Sequence, residues 1–423
     1  MLEKIDYPTL KETLYVIKLE NGMSVYLLPK SDFQEMAALL QVNFGAIDEQ
    51  LSKKDSRSKE SPAGLAHFLE HKLFEMDHGQ DAGLKFSELG ADSNAFTSFE
   101  TTVFYFTSLG ENQEALQLLQ SFVRTINVDK KSLEREKEII AQEIDMYLDS
   151  PDYQVYSGIL ANLYPNTKFS QDIAGSRESL NEITLEWLKD SHKSYYQSSN
   201  MSLFLVGNFK LESALDIIKK SQENFTTKLT KVDKIPLNLT EPIKRSSLNL
   251  DVTKPRLALG FRLPAENGPL LKRKLSLRLF FSLLFGWTSQ TYQDWYDQGL
   301  LDDSFDIDVE VSSRFQFAIL SMDTMEPIKL ANNIKSVLRV FSTSTDFNKE
   351  HLDLLKREAY GEFMRSLDNI EELANQLAAY QTKEESYLDL PEMLSSIQLP
   401  DLEQLGKDLL EKMVTSEFTI FPT

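Results

Sequence analysis

The sequence contains no cysteine. Disulfides, thiolate metal sites and cysteine nucleophiles are therefore excluded, and a cytoplasmic location fits. Histidine is scarce. The five present are His67, His71, His78, His192 and His351, so any imidazole chemistry rests on few candidates. Long apolar runs are missing, and nothing approaches the ~20 residues that span a bilayer. The longest, Leu277 to Trp287, is short, carries Arg278 near its start and reads as a buried helix. No apolar stretch follows the charged start Met1-Leu2-Glu3-Lys4, so no signal peptide is expected. Basic charge is also short: 45 Lys and Arg stand against 65 Asp and Glu, a net charge of −20. A nucleic-acid binder needs a basic footprint, and an anionic membrane surface repels such a chain. No nucleic acid and no membrane partner is expected. A cationic or neutral substrate suits this balance better.

What is present is the composition of a globular protein, 41% hydrophobic and 26% charged. At 423 residues the chain is too long for one ordinary core, and two to three domains are expected. Tyr15 to Lys18 and Met23 to Pro29 flank Glu20-Asn21-Gly22 and read as a hairpin. Ala37 to Phe44 reads as a strand, and polar residues 47 to 61 as a loop. Ser61-Pro62 predicts a helix start, with serine as cap and proline in the first turn. Asn94 to Ser108 alternates and is rich in Phe, Thr, Val and Tyr, which predicts a strand. Asn112 to Ile126 and Ser132 to Leu148 read as helices, the second capped by Ser132. Met201 to Val206 reads as a buried strand and Leu211 to Lys220 as a helix.

Residues 226–246 change character, with Pro236, Pro242 and little periodicity, and read as a linker between halves 1–225 and 247–423. The halves suggest a divergent duplication. Lys137-Glu138-Ile139-Ile140-Ala141-Gln142-Glu143 aligns with Lys356-Arg357-Glu358-Ala359-Tyr360-Gly361-Glu362, and each half ends in a short apolar strand.

The chemistry concentrates at His67-Phe68-Leu69-Glu70-His71. On a helix, residues four apart share a face, so His67 and His71 can bind one metal. Glu70, three beyond His67, can hold and deprotonate a water there. Two histidines leave a ligand missing, and a carboxylate is the natural third. The helix after Ser132 offers Glu134, Glu136, Glu138 and Glu143. Glu136 and Glu143 are seven apart and share a face, so one can ligate while the other supports it. The donor set suits zinc, iron or manganese. His78 reads as a loop residue, and His192 and His351 as surface groups.

His67-x-x-Glu70-His71 followed by Glu136-x6-Glu143 resembles the pitrilysin/insulinase family of inverted-zincin metallopeptidases, closest to the short subgroup that includes the mitochondrial processing peptidase. Ser93-Asn94-Ala95-Phe96-Thr97-Ser98 is similar to that family's substrate-binding edge strand, and Ser199-Asn200-Met201 before Val206-Gly207 also fits. The wording Phe68-Leu69-Glu70-His71-Lys72-Leu73-Phe74 looks most like the zinc-bearing member of a two-gene Gram-positive pair. The resemblance implies an α+β fold of two homologous halves, each a mixed sheet packed against helices. It implies Zn2+ held by His67, His71 and Glu143, with Glu70 as general base and Glu136 in support. It implies a peptide laid along Asn94, Ala95, Phe96 and Thr97, and a clamshell chamber admitting short or unfolded peptides. No further cofactor is implied.

One departure matters. Active relatives carry an Arg and a Tyr seven residues apart, which bind the substrate carbonyl and oxyanion. Here Trp295 and Asp302 stand at the matching positions, and no Arg beyond the linker has a Tyr seven residues on. A heterodimer with a paralogous subunit that lacks the zinc motif and supplies the pair is expected. The rivals are a non-catalytic zinc-containing subunit, and a self-sufficient homodimeric peptidase drawing on Arg278 or Arg314.

Overall fold

The computed structural model describes residues 2–48, 61–223, 225, 234, 236–265 and 268–423. Most of the expected loop at 47–61, and residues 226–233 and 235 of the expected linker, lie outside the described residues. The chain forms two compact units. Unit 1 comprises Met1–Ile144, Gln171–Ile235 and Ser366–Ala379; unit 2 comprises Asp145–Ser170, Pro236–Arg365 and Tyr380–Thr423.

Unit 1 is built on seven strands: β1 (Glu3–Tyr7), β2 (Glu12–Lys18), β3 (Ser24–Pro29), β4 (Glu35–Val42), β5 (Ala91–Thr97), β6 (Thr102–Leu109) and β7 (Met201–Gly207). They lie in the order β1-β2-β3-β7-β4-β6-β5. β3 and β7 pair in parallel and all other neighbours are antiparallel. Helices α1 (Leu65–Leu73), α2 (Ala82–Glu88), α3 (Gln113–Phe122) and α4 (Lys130–Leu148) follow β4 and β6 in the chain. The next helix, α5 (Pro151–Leu163), belongs to unit 2, and α6 (Arg177–Glu182), α7 (Leu185–Tyr195) and α8 (Leu211–Gln222) return to unit 1.

Unit 2 holds β8 (Arg245–Leu250), β9 (Arg256–Leu263), α9 (Leu270–Phe285), α10 (Gln290–Asp297), β10 (Asp306–Val311), β11 (Gln316–Asp323), α11 (Pro327–Arg339) and α12 (Lys349–Ser366). Then come α13 (Ile370–Tyr380), all but its last residue in unit 1, and α14 (Leu390–Ser396), α15 (Leu399–Lys412) and β12 (Val414–Pro422) in unit 2. The sheet order is β10-β11-β9-β12-β8, with only β12 and β8 parallel. Substituting β5-β6-β4-β7-β3 reproduces the strand order and the single parallel pair of unit 1. The chain order strand, strand, helix, helix, strand, strand, helix, helix is also the same, so α9 and α12 correspond to α1 and α4. The fold is two homologous α+β units, each a mixed sheet packed against helices.

The core of unit 1 places the site helix. Leu65, Phe68 and Leu69 of α1 are fully buried, at the i, i+3, i+4 spacing that makes one apolar face. Below them Phe104 meets Phe74 and Phe122 with ring centroids at 6.2 and 5.5 Å. Each such side chain contributes ~1.5–3 kcal/mol on burial. Among the described residues no helix is long and apolar enough to cross a membrane.

Several local expectations are corrected. The helix does not begin at Ser61-Pro62; its cap is Gly64, in the left-handed region at φ 87. A Cβ there would lie 2.4 Å from the Ala174 carbonyl oxygen, so the close approach of a distant segment sets the start. Asn94 to Ser108 is not one strand but parts of β5 and β6, turned where Ser98 and Thr101 hydrogen-bond each other. Ser132 does not cap α4. Its N–H donates to Asp129 Oδ1 at 2.7 Å, and its hydroxyl donates to Glu75. His192 and His351 are part-buried rather than surface groups. His192 Nε2 lies 2.9 Å from the Val123 carbonyl oxygen, and His351 Nε2 lies 2.8 Å from Thr288 Oγ1. Arg314, offered above as an electrophile, sits in the turn between β10 and β11.

Candidate active site

α1 supplies His67, Glu70 and His71, α4 supplies Glu136 and Glu143, and β5 supplies Thr97. The helical pitch brings the His67 and His71 rings edge to face, with centroids 4.6 Å apart. Glu143 completes the set: Oε1 lies 3.6 Å from His67 Nε2, and Oε2 lies 3.6 Å from His71 Nε2. One donor atom from each of the three falls within 4.8 Å of the others, the only such group of three or more among the described residues. A tetrahedral zinc bonded at ~2.0–2.2 Å separates its ligand atoms by a little over 3 Å, so this donor set fits a metal ion.

The surrounding charges fit as well. Glu70, Glu75, Glu136 and Glu143 are accompanied by two cations, Lys72 on Glu75 and Glu136 and Arg135 on Glu75, which leaves a net of −2 (four carboxylates less two cations) with neutral histidines. A divalent cation balances that charge. Lys72 is fully buried, and its Nζ donates to Glu136 Oε2 at 3.3 Å and to Glu75. Glu136 Oε1 sits 3.1 Å from His71 Nδ1. That contact fixes the His71 ring and leaves its Nε2 for a metal, the usual arrangement of a carboxylate behind a ligating histidine. His67 Nδ1, by contrast, is buried without a hydrogen-bond partner among the described residues.

Glu70 is 7% exposed. Burial pushes its carboxyl above the usual range, against the lowering effect of the Thr97 hydroxyl, which donates to Oε2 at 2.5 Å. Burial likewise drives His67 down to about 4, helped by its neighbour His71. Burial opposes ionisation of Glu136, but the His71 hydrogen bond and the Lys72 charge outweigh it and hold the group low.

Among the described residues β5 is the last strand of the sheet and pairs only with β6. Side chains alternate along it. Asn94 and Phe96 are exposed, while Ala95 and Thr97 are half-buried. Asn94 Oδ1 accepts from the Ala95 N–H at 2.8 Å, and Phe96 meets Tyr105 edge to face. The outer edge of β5 can therefore accept a further strand, and it ends at the residue that holds Glu70.

Sequence reasoning misses the roles of Lys72, Glu75 and Arg135. Arg135 Nη2 and the Ser132 hydroxyl both meet Glu75 Oε2, at 2.9 and 2.7 Å. Lys72 does carry a signal. It is the i+7 member of the Leu65, Phe68, Leu69 stripe, a position where an amine must be buried and therefore paired. Trp295 and Asp302, standing where an Arg and a Tyr are expected, have other roles. Trp295 is buried and stacks on Phe285, and Asp302 accepts from Lys254 at 3.0 Å and from Ser304.

Comparison with known proteins places this geometry. Residues 37–177 match the insulinase family (Peptidase family M16), and residues 182–359 match the Peptidase M16 inactive domain. YmfH of Bacillus subtilis (strain 168), an uncharacterized zinc protease, is 34% identical over 99% of this chain and 98% of its own length. Among solved structures, an M16-like peptidase from Alicyclobacillus acidocaldarius superposes with a TM-score of 0.88 at 28% identity, covering 99% of this chain and all of that one. Pitrilysin superposes with a TM-score of 0.74 at 20% identity over 99% of this chain and 46% of its own. With a relative this similar along nearly its whole length, and an enzyme's donor set at the motif, the chain belongs to the insulinase (M16) family of peptidases.

Proposed function

We propose that the chain is the zinc-bearing subunit of a metallopeptidase that hydrolyses short or unfolded peptides. The observation that carries this reading is the convergence of His67, His71 and Glu143 on one point, with the Glu70 carboxylate held beside it by Thr97. His67, His71 and Glu143 would hold the ion. Zinc, when bound, supplies a Lewis acid that lowers the pKa of water toward ~7 and polarises a carbonyl. Glu70 takes the proton from the attacking water as the new carbon–oxygen bond forms, and returns it to the amine as the carbon–nitrogen bond breaks. Glu136 orients His71 and is itself balanced by Lys72. Asn94, Ala95 and Phe96 present the strand edge along which the peptide pairs, so recognition is mainly of backbone.

The oxyanion stabiliser comes from elsewhere. Neither Trp295 nor Asp302 is free to donate to a developing oxyanion, and Arg278 is paired with Glu362 at 3.3 Å. A stabiliser of this kind is worth about 10² to 10³ in rate. A paralogous subunit carrying the Arg and Tyr supplies it in a heterodimer, as in the processing-peptidase subgroup and the two-gene Gram-positive pairs that the motif resembles.

The test is a defined peptide mixture followed by mass spectrometry, with and without the co-expressed Arg- and Tyr-bearing paralogue. Cleavage is expected only with the partner, and Glu70→Gln is expected to abolish it while zinc remains bound. Cleavage by the chain alone would remove the need for a partner and favour a homodimer. Cleavage by Glu70→Gln at the wild-type rate would end the assignment of the base.

A further inference from the structure

Unit 2 keeps the architecture of the metal site without its chemistry. α9 and α12 correspond to α1 and α4, and β10 to β5. Between them lies a pocket of about 390 Å³, within the range of small-ligand sites. Leu275 and Leu279 of α9 and Leu355 of α12 give it an apolar lining. One wall is Trp287, 62% exposed and held in orientation by its indole N–H, which donates to Glu358 Oε1 at 3.1 Å. Tyr292 also lines the space.

The charges have one dominant sign. Asp303, Asp306, Glu358 and Glu362 line the pocket against Arg278 alone, a net of −3 (four carboxylates less one guanidinium). Arg278 is already paired with Glu362 at 3.3 Å. An anion is repelled here. A metal finds no histidine, and the close donor group of unit 1 has no counterpart among the described residues. A long apolar stem ending in a positive charge matches this lining: methylenes against the leucines, and the cation with the exposed indole and the carboxylates that Arg278 does not engage.

We propose that this pocket receives the side chain of a lysine or arginine of a peptide, so that unit 2 selects basic peptides. The inference takes the peptide as ligand from the function proposed above, but it is read by binding, not by turnover.

The experiment uses the full chain bearing Glu70→Gln, so that peptide is not consumed. Acetyl-Ala-Arg-Ala-amide is titrated while tryptophan fluorescence is followed, and the citrulline peptide, which keeps the shape and removes the charge, is run beside it. A saturable change that vanishes in Trp287→Phe is expected. Binding should weaken about tenfold or more with citrulline, and similarly in Asp303→Asn/Asp306→Asn, and should weaken as salt rises. Equal binding of the arginine and citrulline peptides would overturn the proposal. So would a signal that survives in Trp287→Phe, or undiminished binding by the double variant at an unchanged melting temperature. Should the double variant fail to fold, the citrulline and Trp287→Phe arms still decide. Cleavage by the wild-type chain with its partner is scored separately. Cleavage without selective binding rejects the pocket alone, and selective binding without cleavage rejects the peptidase reading alone.

Discussion

Glu136 uses its two carboxylate oxygens differently, one facing His71 Nδ1 and one accepting from buried Lys72. Glu136→Gln keeps the shape but removes the charge that balances Lys72. A support of this kind behind a ligating histidine is typically worth 10–100-fold in metal affinity. Zinc affinity measured by competition with a chromophoric chelator is expected to fall by about that factor. Thr97 is argued to act through Glu70, so its test must separate positioning from folding. Thr97→Val should lower kcat about tenfold, roughly the worth of one hydrogen bond to a charged group, with KM and zinc content unchanged, and Thr97→Ser should restore it. Zinc loss in the valine variant would make the hydroxyl's role structural. The motif residues on α1 are legible in the sequence because spacings of three and four place side chains on one face of any helix. The links from Lys72 to Glu136 and from Arg135 to Glu75 are not, because ion-pair partners sixty or more residues apart leave no periodic trace.

At the scale of elements, the order of strands and helices in the first half is largely readable, while several boundaries are set by contacts that the sequence does not display. α1 starts at Gly64 because a left-handed residue must pass the Ala174 carbonyl. The hydroxyl pair Ser98 and Thr101 divides one alternating run into β5 and β6. Two glycines give a paired test of this distinction. Gly64→Ala places a Cβ 2.4 Å from a carbonyl oxygen at a positive φ, and should destabilise the protein by more than ~1 kcal/mol. Gly361→Ala, in the body of α12 with nothing within 4 Å of the added carbon, should stabilise it by ~0.4–1 kcal/mol. Calorimetric melts of both variants check the signs, and a loss of stability in Gly361→Ala would contradict the helical account of that position.

For the whole molecule, the duplication explains the common sheet order, yet each compact unit takes a segment from the other part of the chain. Residues 145–170, from the first half of the sequence, carry α5 into unit 2. There the fit is close. A Cβ on Gly260 of β9 would lie 2.6 Å from Ile159 Cγ1, and one on Gly158 would lie 2.4 Å from the Phe418 ring of β12. Asn162 Nδ2 donates to the Glu417 carbonyl oxygen at 3.1 Å, and the Tyr164 hydroxyl to that of Gln316 at 2.9 Å. A fragment of residues 236–423 retains every strand of the second sheet but loses this helix. It would expose the α5 face of β9 and β12, with Phe418 uncovered and two backbone carbonyls left without their side-chain donors. A contiguous apolar sheet face of that kind drives association. Expressed alone, the fragment is expected to aggregate or to melt without a cooperative transition. Co-expressed with residues 1–225, which bring α5, it should become soluble and copurify. A monomeric fragment of residues 236–423 with a sharp two-state melt would show that α5 is dispensable, and that the second unit's core closes without the segment drawn from the first half.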